Sequence, residues 1–250
     1  MFEDMRRGLR DVDSSMPELS AWVYRRIEQH LGHRVIDAGA GIGTYSELLQ
    51  EHGKQVVALE ADPELVPDLR SRLEPSGGEV YACDLAAPEG LPNFEPADSA
   101  ICINVAEHLD DDRQGLLNVR ERVLPGGKLF IFVPAHPWLY NRIDKAAGHF
   151  RRYQRRELAD RLVESGWQLE GLTYFNCFSI PLWFIAGTVL RRDMPGTSLM
   201  RLAGTIMPLL DWLDRTLSRG KAGVSLIAVA RNPGPDVSSL GPPEGAQSIA

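Results

Sequence analysis

Lysine is nearly missing from this chain: of 27 basic residues, 4 are lysine and 23 are arginine. Against 34 acidic residues this leaves a net charge of -7, so there is no basic surplus of the kind that holds nucleic acid generally. The arginine excess answers no folding need and reads as the mark of a GC-rich bacterial genome. Cysteine is scarce too. Cys83, Cys102 and Cys177 are odd in number and lack metal-ligand spacing, which excludes a disulfide scaffold and a zinc ribbon and predicts thiols of a reducing compartment. No apolar run is long enough to span a bilayer, because Pro181, Arg191, Arg192, Arg201 and Asp211 interrupt the most apolar stretches. Residues 1–13 are charged throughout rather than basic and then apolar, so no secretory leader is expected and the cytoplasm is the default location. Internal repeats are also lacking.

What is present is ample for a core: 44% of the 250 residues are hydrophobic. Apolar runs alternate with amphipathic stretches in the rhythm of a parallel sheet flanked by helices. Strands are predicted at Arg34–Ala38, Gln55–Glu60, Glu79–Ala82, Ser99–Asn104, Lys128–Val133, Trp167–Phe175 and Val224–Ala230. Helices are predicted at Pro17–Leu31, Tyr45–His52, Pro63–Leu73 and Gln114–Val123, with Leu19, Trp22, Val23 and Ile27 on one face of the first. Pro125-Gly126-Gly127 reads as a turn that starts strand five. The expected organisation is one domain over residues 1–231, with a helical cap at 1–31 and a helical insertion at 176–222, followed by a disordered tail at 232–250. The insertion carries Trp183, Phe184, Met194, Met200, Met207 and Trp212. It is expected to be a lid or a homodimer face rather than a membrane anchor.

The densest chemical signal is Val35-Ile36-Asp37-Ala38-Gly39-Ala40-Gly41-Ile42-Gly43-Thr44. It reads as a short strand ending in an acid, a glycine turn and a helix start. Glycine lets a backbone turn tightly and approach a ligand closely, and a helix N-terminus offers free N–H groups. Glu60 ends the next strand, where a carboxylate can accept two hydrogen bonds from a ribose diol. Asp84 ends the third strand. Its carboxylate either accepts from the exocyclic amine of adenine, with Leu85 on the ring, or caps a turn. A nicotinamide site places two residues between the second and third glycines; here Ile42 alone separates Gly41 from Gly43.

Asp37-x-Gly39-x-Gly41-x-Gly43, Glu60, Asp84-Leu85 and Asn104-Val105-Ala106-Glu107-His108-Leu109 fall in order at the ends of successive strands. The pattern resembles the class I S-adenosylmethionine-dependent methyltransferases over about residues 30–175. The resemblance implies an α/β, Rossmann-like, seven-stranded and mostly parallel sheet with helices on both faces and an antiparallel last strand. It implies S-adenosylmethionine as cofactor, the methionine portion held by Asp37 and the Gly39–Gly43 turn. Glu60, with Ala61 beside it, would hold the ribose hydroxyls, Asp84 and Leu85 the adenine, and the Asn104 backbone the sulfonium neighbourhood.

Methyl transfer is an in-line displacement that needs alignment and exclusion of water, and a base where the acceptor is a hydroxyl or a protonated amine. The polar run 134–153 follows strand five. Its Tyr-x3-Asp-x3-Gly-His-x-Arg-Arg-Tyr spacing looks like a methyltransferase subgroup that carries such a loop as an active-site lid. His136 and His149 are the candidate bases, Tyr140 orients the acceptor, and Asp144 either meets a substrate amine or pairs with Arg142 or Lys145. His108, Trp138, Arg151, Arg152 and Tyr153 are candidate substrate contacts, and the arginines would suit a phosphorylated acceptor. All of these residues alternatively knit the loop to itself. Asp110, Asp111 and Asp112 are better explained by a helix start than by a metal, so no metal is expected. The expected acceptor is the nitrogen or oxygen of a polar small molecule, amino-sugar-like or phosphorylated, in specialised-metabolite biosynthesis. The alternatives are C-methylation of an isoprenoid or lipid, or a cofactor-binding regulatory protein without turnover.

Overall fold

The computed structural model describes residues 17–192, 212, 216 and 220–234, with side chains from Ser20. The side chain of Leu19, the insertion between 193 and 219 apart from residues 212 and 216 (with Met194, Met200 and Met207), and the tail from 235 lie outside the described residues.

Seven strands form one sheet: β1 (Arg34–Ala38), β2 (Gln55–Glu60), β3 (Glu79–Ala82), β4 (Ala97–Ile103), β5 (Val123–Pro134), β6 (Gln168–Phe175) and β7 (Ser225–Arg231), in the order β3-β2-β1-β4-β5-β7-β6. The pairs among β1 to β5 are parallel, and β7 runs antiparallel to both β5 and β6. The central strands β1 and β2 are mostly apolar runs, as strands covered on both faces must be. One face is covered by α1 (Pro17–Ile27), α2 (Thr44–Glu51) and α3 (Val66–Leu73), through Trp22, Ile27, Leu49, Leu69 and Leu73. The other is covered by α4 (Asp112–Glu121) and α6 (Arg155–Glu164), through Leu116, Val119, Leu158 and Leu162. Between them lies α5 (Arg142–Ala147), inside the loop after β5.

Two departures from the sequence reading have local causes. Pro125-Gly126-Gly127 is an irregularity inside β5, since Val123 already pairs with Ala97 and the register shifts before Ser99 meets Lys128. Gly126 takes a φ of 85° there, and a Cβ on Gly127 would lie 2.5 Å from the Asp98 carbonyl oxygen. The first helix stops at Ile27 and tightens into a 3₁₀ turn, Glu28–His30. In the insertion, α7 (Ser179–Trp183) widens into a π-helical segment, Phe184–Val189. Gly187 sits against Asn141, where an added Cβ would be 2.1 Å from the side-chain oxygen. The described part of the insertion is therefore packed onto the loop after β5.

The chain runs outward from β1 to β2 and β3, then crosses back to β4. That reversal opens a crevice above the carboxyl ends of β1 and β4, where ligands bind in sheets of this kind.

Candidate active site

The glycine turn lies at this crevice. Gly39, Gly41 and Gly43 have φ values of 84°, 57° and 89°, in the left-handed region open to glycine. A Cβ on Gly39 would stand 2.5 Å and 2.7 Å from the two γ-methyls of Val105, across the crevice after β4. The Gly39 and Ala40 N–H groups both donate to the Leu59 carbonyl at 2.9 Å, tying the turn to the end of β2. The guanidinium of Arg72 donates to the Ile42 carbonyl and, at 3.0 Å, to Glu47.

Both acids flanking the turn are buried, and they do different work. Asp37 is 3% exposed and accepts from the Ser46 hydroxyl at 2.6 Å. From β1 it ties the start of α2 to the strand beneath the turn. Burial pushes its carboxyl up to about 6, partly offset by Ser46 and reinforced by the charge of Glu60. Glu60 accepts from the Gly41 N–H at 2.6 Å through one oxygen and from the Asp62 N–H at 2.8 Å through the other, and burial raises its carboxyl above the ordinary value. A carboxylate has about four acceptor positions, so Glu60 keeps capacity for further donors while fixing the turn. Ala61 follows it, exposed. Asp84 is exposed and accepts from the Ala86 N–H at 2.9 Å, a turn contact, and Leu85 is buried in the core under α4. Asn104 is exposed just past β4 with a φ of 52°. Such strained backbone gathers at functional sites.

Because the Asp37 carboxyl lies above its ordinary value in the folded chain, the native state binds more protons than the unfolded one between about pH 4 and 6. Its contribution to stability falls as pH rises through that window. Asp37→Asn should therefore melt higher than the parent at pH 7.5, by up to about 2–3 kcal/mol, with the difference closing toward pH 4. Thermal denaturation across that range checks it, and a pH-independent difference would contradict it.

The loop after β5 is closed at its base. Ala135 and Tyr153 form a parallel bridge, with the His136 N–H donating to the Tyr153 carbonyl and the Tyr153 N–H to the Pro134 carbonyl, both at 2.9 Å. Inside it, Asp144 is fully buried. One of its oxygens accepts from Arg152 Nε at 2.7 Å and His149 Nδ1 at 3.0 Å, and the other from the Asn141 N–H at 3.0 Å, closing the N-terminal cap of α5. These donors outweigh burial and hold the Asp144 carboxyl below its ordinary value. Arg152, 3% exposed, also donates to the Ala135 carbonyl and lies 4.7 Å from the centre of the Trp183 ring. Tyr153 is buried with its hydroxyl 2.8 Å from Asp112 and 3.0 Å from the Ala106 carbonyl. Asp112 also pairs with Arg151 at 3.2 Å and Arg161 at 3.5 Å. Asp111 caps α4 through the Gln114 N–H, so the acids of this run mark a helix start.

These contacts revise part of the expected site. Asp144, Arg152 and Tyr153 are buried braces, and Arg151 is committed to Asp112, so neither an ammonium nor a phosphate group finds a free partner among them. Tyr140 is 40% exposed and its hydroxyl donates to the His149 carbonyl at 2.7 Å. Trp138 is 63% exposed. His136 has a φ of 63°, stacks on Tyr174 at 5.0 Å and hydrogen-bonds the Gly223 backbone. Burial lowers its pKa from the ordinary imidazole value, which favours the neutral ring. His108 and His149 meet edge to face at 4.7 Å, and burial brings the His108 pKa down to about 4.

Four residues at the crevice were not singled out from the sequence: Ser46, Arg72, Val105 and Glu107. Only the Asn104–Leu109 motif signalled any of them. Glu107 follows β4, is fully buried, and its two carboxylate oxygens have no hydrogen-bond partner.

Residues 5–172 match the methyltransferase-domain family. The ubiquinone biosynthesis O-methyltransferases of Xanthomonas euvesicatoria pv. vesicatoria and Xanthomonas axonopodis pv. citri are 30% and 31% identical over 57% and 61% of this chain. The matches span 65% and 69% of those proteins, about two thirds of their length. In three dimensions the chain is similar to an N-methyltransferase of Bradyrhizobium japonicum solved with S-adenosyl-L-homocysteine, with a TM-score of 0.55, 15% identity and 87% of each chain covered. The crevice fits such a cofactor: the turn admits no Cβ at Gly39, and an acid stands at the end of β2. The chain belongs to the methyltransferase-domain family and is an S-adenosylmethionine-dependent methyltransferase.

Proposed function

We propose that the chain methylates a hydroxyl oxygen of a small acceptor that carries an apolar portion. The observation that carries the oxygen reading is the state of the loop after β5. Its one buried carboxylate, Asp144, is spent on Arg152, His149 and a helix cap. Within the loop itself no carboxylate is left for an ammonium, and Glu107 beside it is fully buried, while His136, its pKa lowered by burial, stands at the end of β5 with one nitrogen tied to the backbone. A neutral imidazole takes up a hydroxyl proton near neutral pH. The O-methyltransferase relatives support the same acceptor atom, and they favour a biosynthetic step of that type over the amino-sugar-like or phosphorylated substrate expected from the sequence.

When bound, S-adenosylmethionine supplies a methyl group already activated by a sulfonium. The Gly39–Gly43 turn, Glu60, the Asp84–Leu85 turn and Asn104 would hold it, with Asp37 tying the start of α2 to β1 beneath the turn. His136 would accept the acceptor's proton, and Tyr140 and Trp138, both exposed on the same loop, would position the acceptor. The apolar portion is supported by Phe184, Ile185, Val189 and Leu190, which are 40–60% exposed on a helix packed against this loop.

The test is transfer from methyl-labelled S-adenosylmethionine to paired aromatic acceptors that differ only in bearing a hydroxyl or an amine, with and without an alkyl tail. Label should appear in the ether, more with the tail. His136→Ala should slow turnover about 10²–10⁴-fold and leave S-adenosylhomocysteine affinity unchanged. Label found only in the amine would sink the oxygen reading, and unchanged turnover in His136→Ala would remove that residue as the base.

A further inference from the structure

We propose that Glu107, His108 and His149 form a binding site for a divalent transition-metal cation, with Zn²⁺ the best match to the donor set. One oxygen of Glu107 and one nitrogen from each imidazole lie within 4.8 Å of one another, and His149 Nε2 is 4.0 Å from Glu107 Oε1. Bonds of about 2.0–2.2 Å place the ligands of a tetrahedral ion about 3.3–3.6 Å apart, so the three side chains would close in by about an ångström on binding.

The hydrogen bonding around the cluster argues for a cation more strongly than the spacing does. His149 Nδ1 is 3.0 Å from Asp144 Oδ1. Asp144 also accepts from Arg152, so it is ionised and His149 Nδ1 donates to it; in the neutral imidazole the lone pair then lies on Nε2, the nitrogen that faces Glu107. His108 hydrogen-bonds the Gly148 backbone and offers a ring nitrogen to the same cluster. Carboxylate–histidine and carbonyl–histidine pairs of this kind orient imidazoles in metal sites. Glu107 completes the set, fully buried with both oxygens unpartnered. Among the described residues, two imidazole nitrogens and an enclosed carboxylate thus face one space. In a folded interior such an arrangement is costly unless a positive charge occupies it.

Two imidazoles and one carboxylate match the donor preferences of zinc, and three protein ligands leave a position open. The cluster follows β4 beside Asn104, at the crevice where the acceptor meets the cofactor. An acceptor hydroxyl would take the open position and be acidified by the ion. That placement rests on the hydroxyl-acceptor reading; the cation site itself does not.

The experiment is calorimetric titration of chelator-stripped, full-length protein with ZnCl₂, repeated with Glu107→Gln and His149→Ala. Each protein is also titrated with S-adenosylhomocysteine as a check on folding. The wild type should bind one Zn²⁺ per chain, and both substitutions should weaken binding more than about 100-fold, since even residues that only orient ligands cost about 10–100-fold. Cofactor-product affinity should stay unchanged in both. Metal-free Glu107→Gln should melt higher than metal-free wild type, because a buried unpaired carboxylate has gone, and should lose the upward shift that Zn²⁺ gives the wild type. The Co²⁺-substituted wild type should show ligand-field bands without a thiolate charge-transfer band. Absence of binding in the wild type, equal binding in Glu107→Gln, or a thiolate band would each overturn the site. None of these outcomes bears on whether label reaches a hydroxyl or an amine, so the two readings fail separately.

Discussion

Gly39→Ala is expected to abolish measurable binding of S-adenosylhomocysteine and to destabilise the fold. The backbone at Gly39 has a φ of 84°, which costs a residue with a Cβ about 1–3 kcal/mol. The added carbon would also stand 2.5 Å from a Val105 methyl, a contact that must be relieved by moving the turn or the segment after β4. Overpacking of this kind adds about 1–3 kcal/mol. Both routes of relief displace walls of the crevice, so binding should fall by more than stability does. Val105→Ala should recover part of the lost stability, because it removes the methyls that the new Cβ meets. Denaturant melts and calorimetry on the single and double variants check this. Wild-type affinity in Gly39→Ala would mean that the turn does not form the cofactor cradle.

The second large effect belongs to Asp144. Replacing it by alanine leaves Arg152 buried without its carboxylate and His149 without its orienting partner. Breaking a buried ion pair from one side costs about 3–5 kcal/mol, and here a helix cap goes with it, worth about 1 kcal/mol more. Asp144→Ala/Arg152→Met should be less destabilised than Asp144→Ala, since no charge remains buried. Equilibrium unfolding of the two variants decides the matter. If Asp144→Ala were as stable as the parent and merely slow in turnover, Asp144 would be a substrate contact and not a brace.

This contrast shows what the sequence could reveal. The bounds of β1, β2 and β3 and the tight glycine turn are legible because their signals are local: apolar residues in short runs, strand-end acids, and glycines spaced for one tight turn. The loop at 134–153 was recognisable as special, but its residue types suit a catalytic surface and an internal network equally well. Burial decides between these, and it depends on distant partners. Tyr153 meets Asp112 across 41 positions, Arg151 pairs with the same acid, and Arg152 lies over Trp183. Glu107 is the reverse case. The motif displayed it beside His108, yet only the fold shows that its carboxylate is enclosed without a partner. Pro125-Gly126-Gly127 reads as a turn in the sequence because the partner that keeps it inside β5 is distant: Val123 pairs with Ala97 across the parallel β4–β5 pair.

The account rests on a cofactor held between the glycine turn and Glu60. Calorimetric titration of the wild type and of Glu60→Ala with S-adenosylhomocysteine tests it most directly. One molecule should bind per wild-type chain, and the substitution should weaken binding about 10–100-fold, the worth of hydrogen bonds to a charged acceptor. No binding by the wild type, or equal affinity in Glu60→Ala, would contradict it.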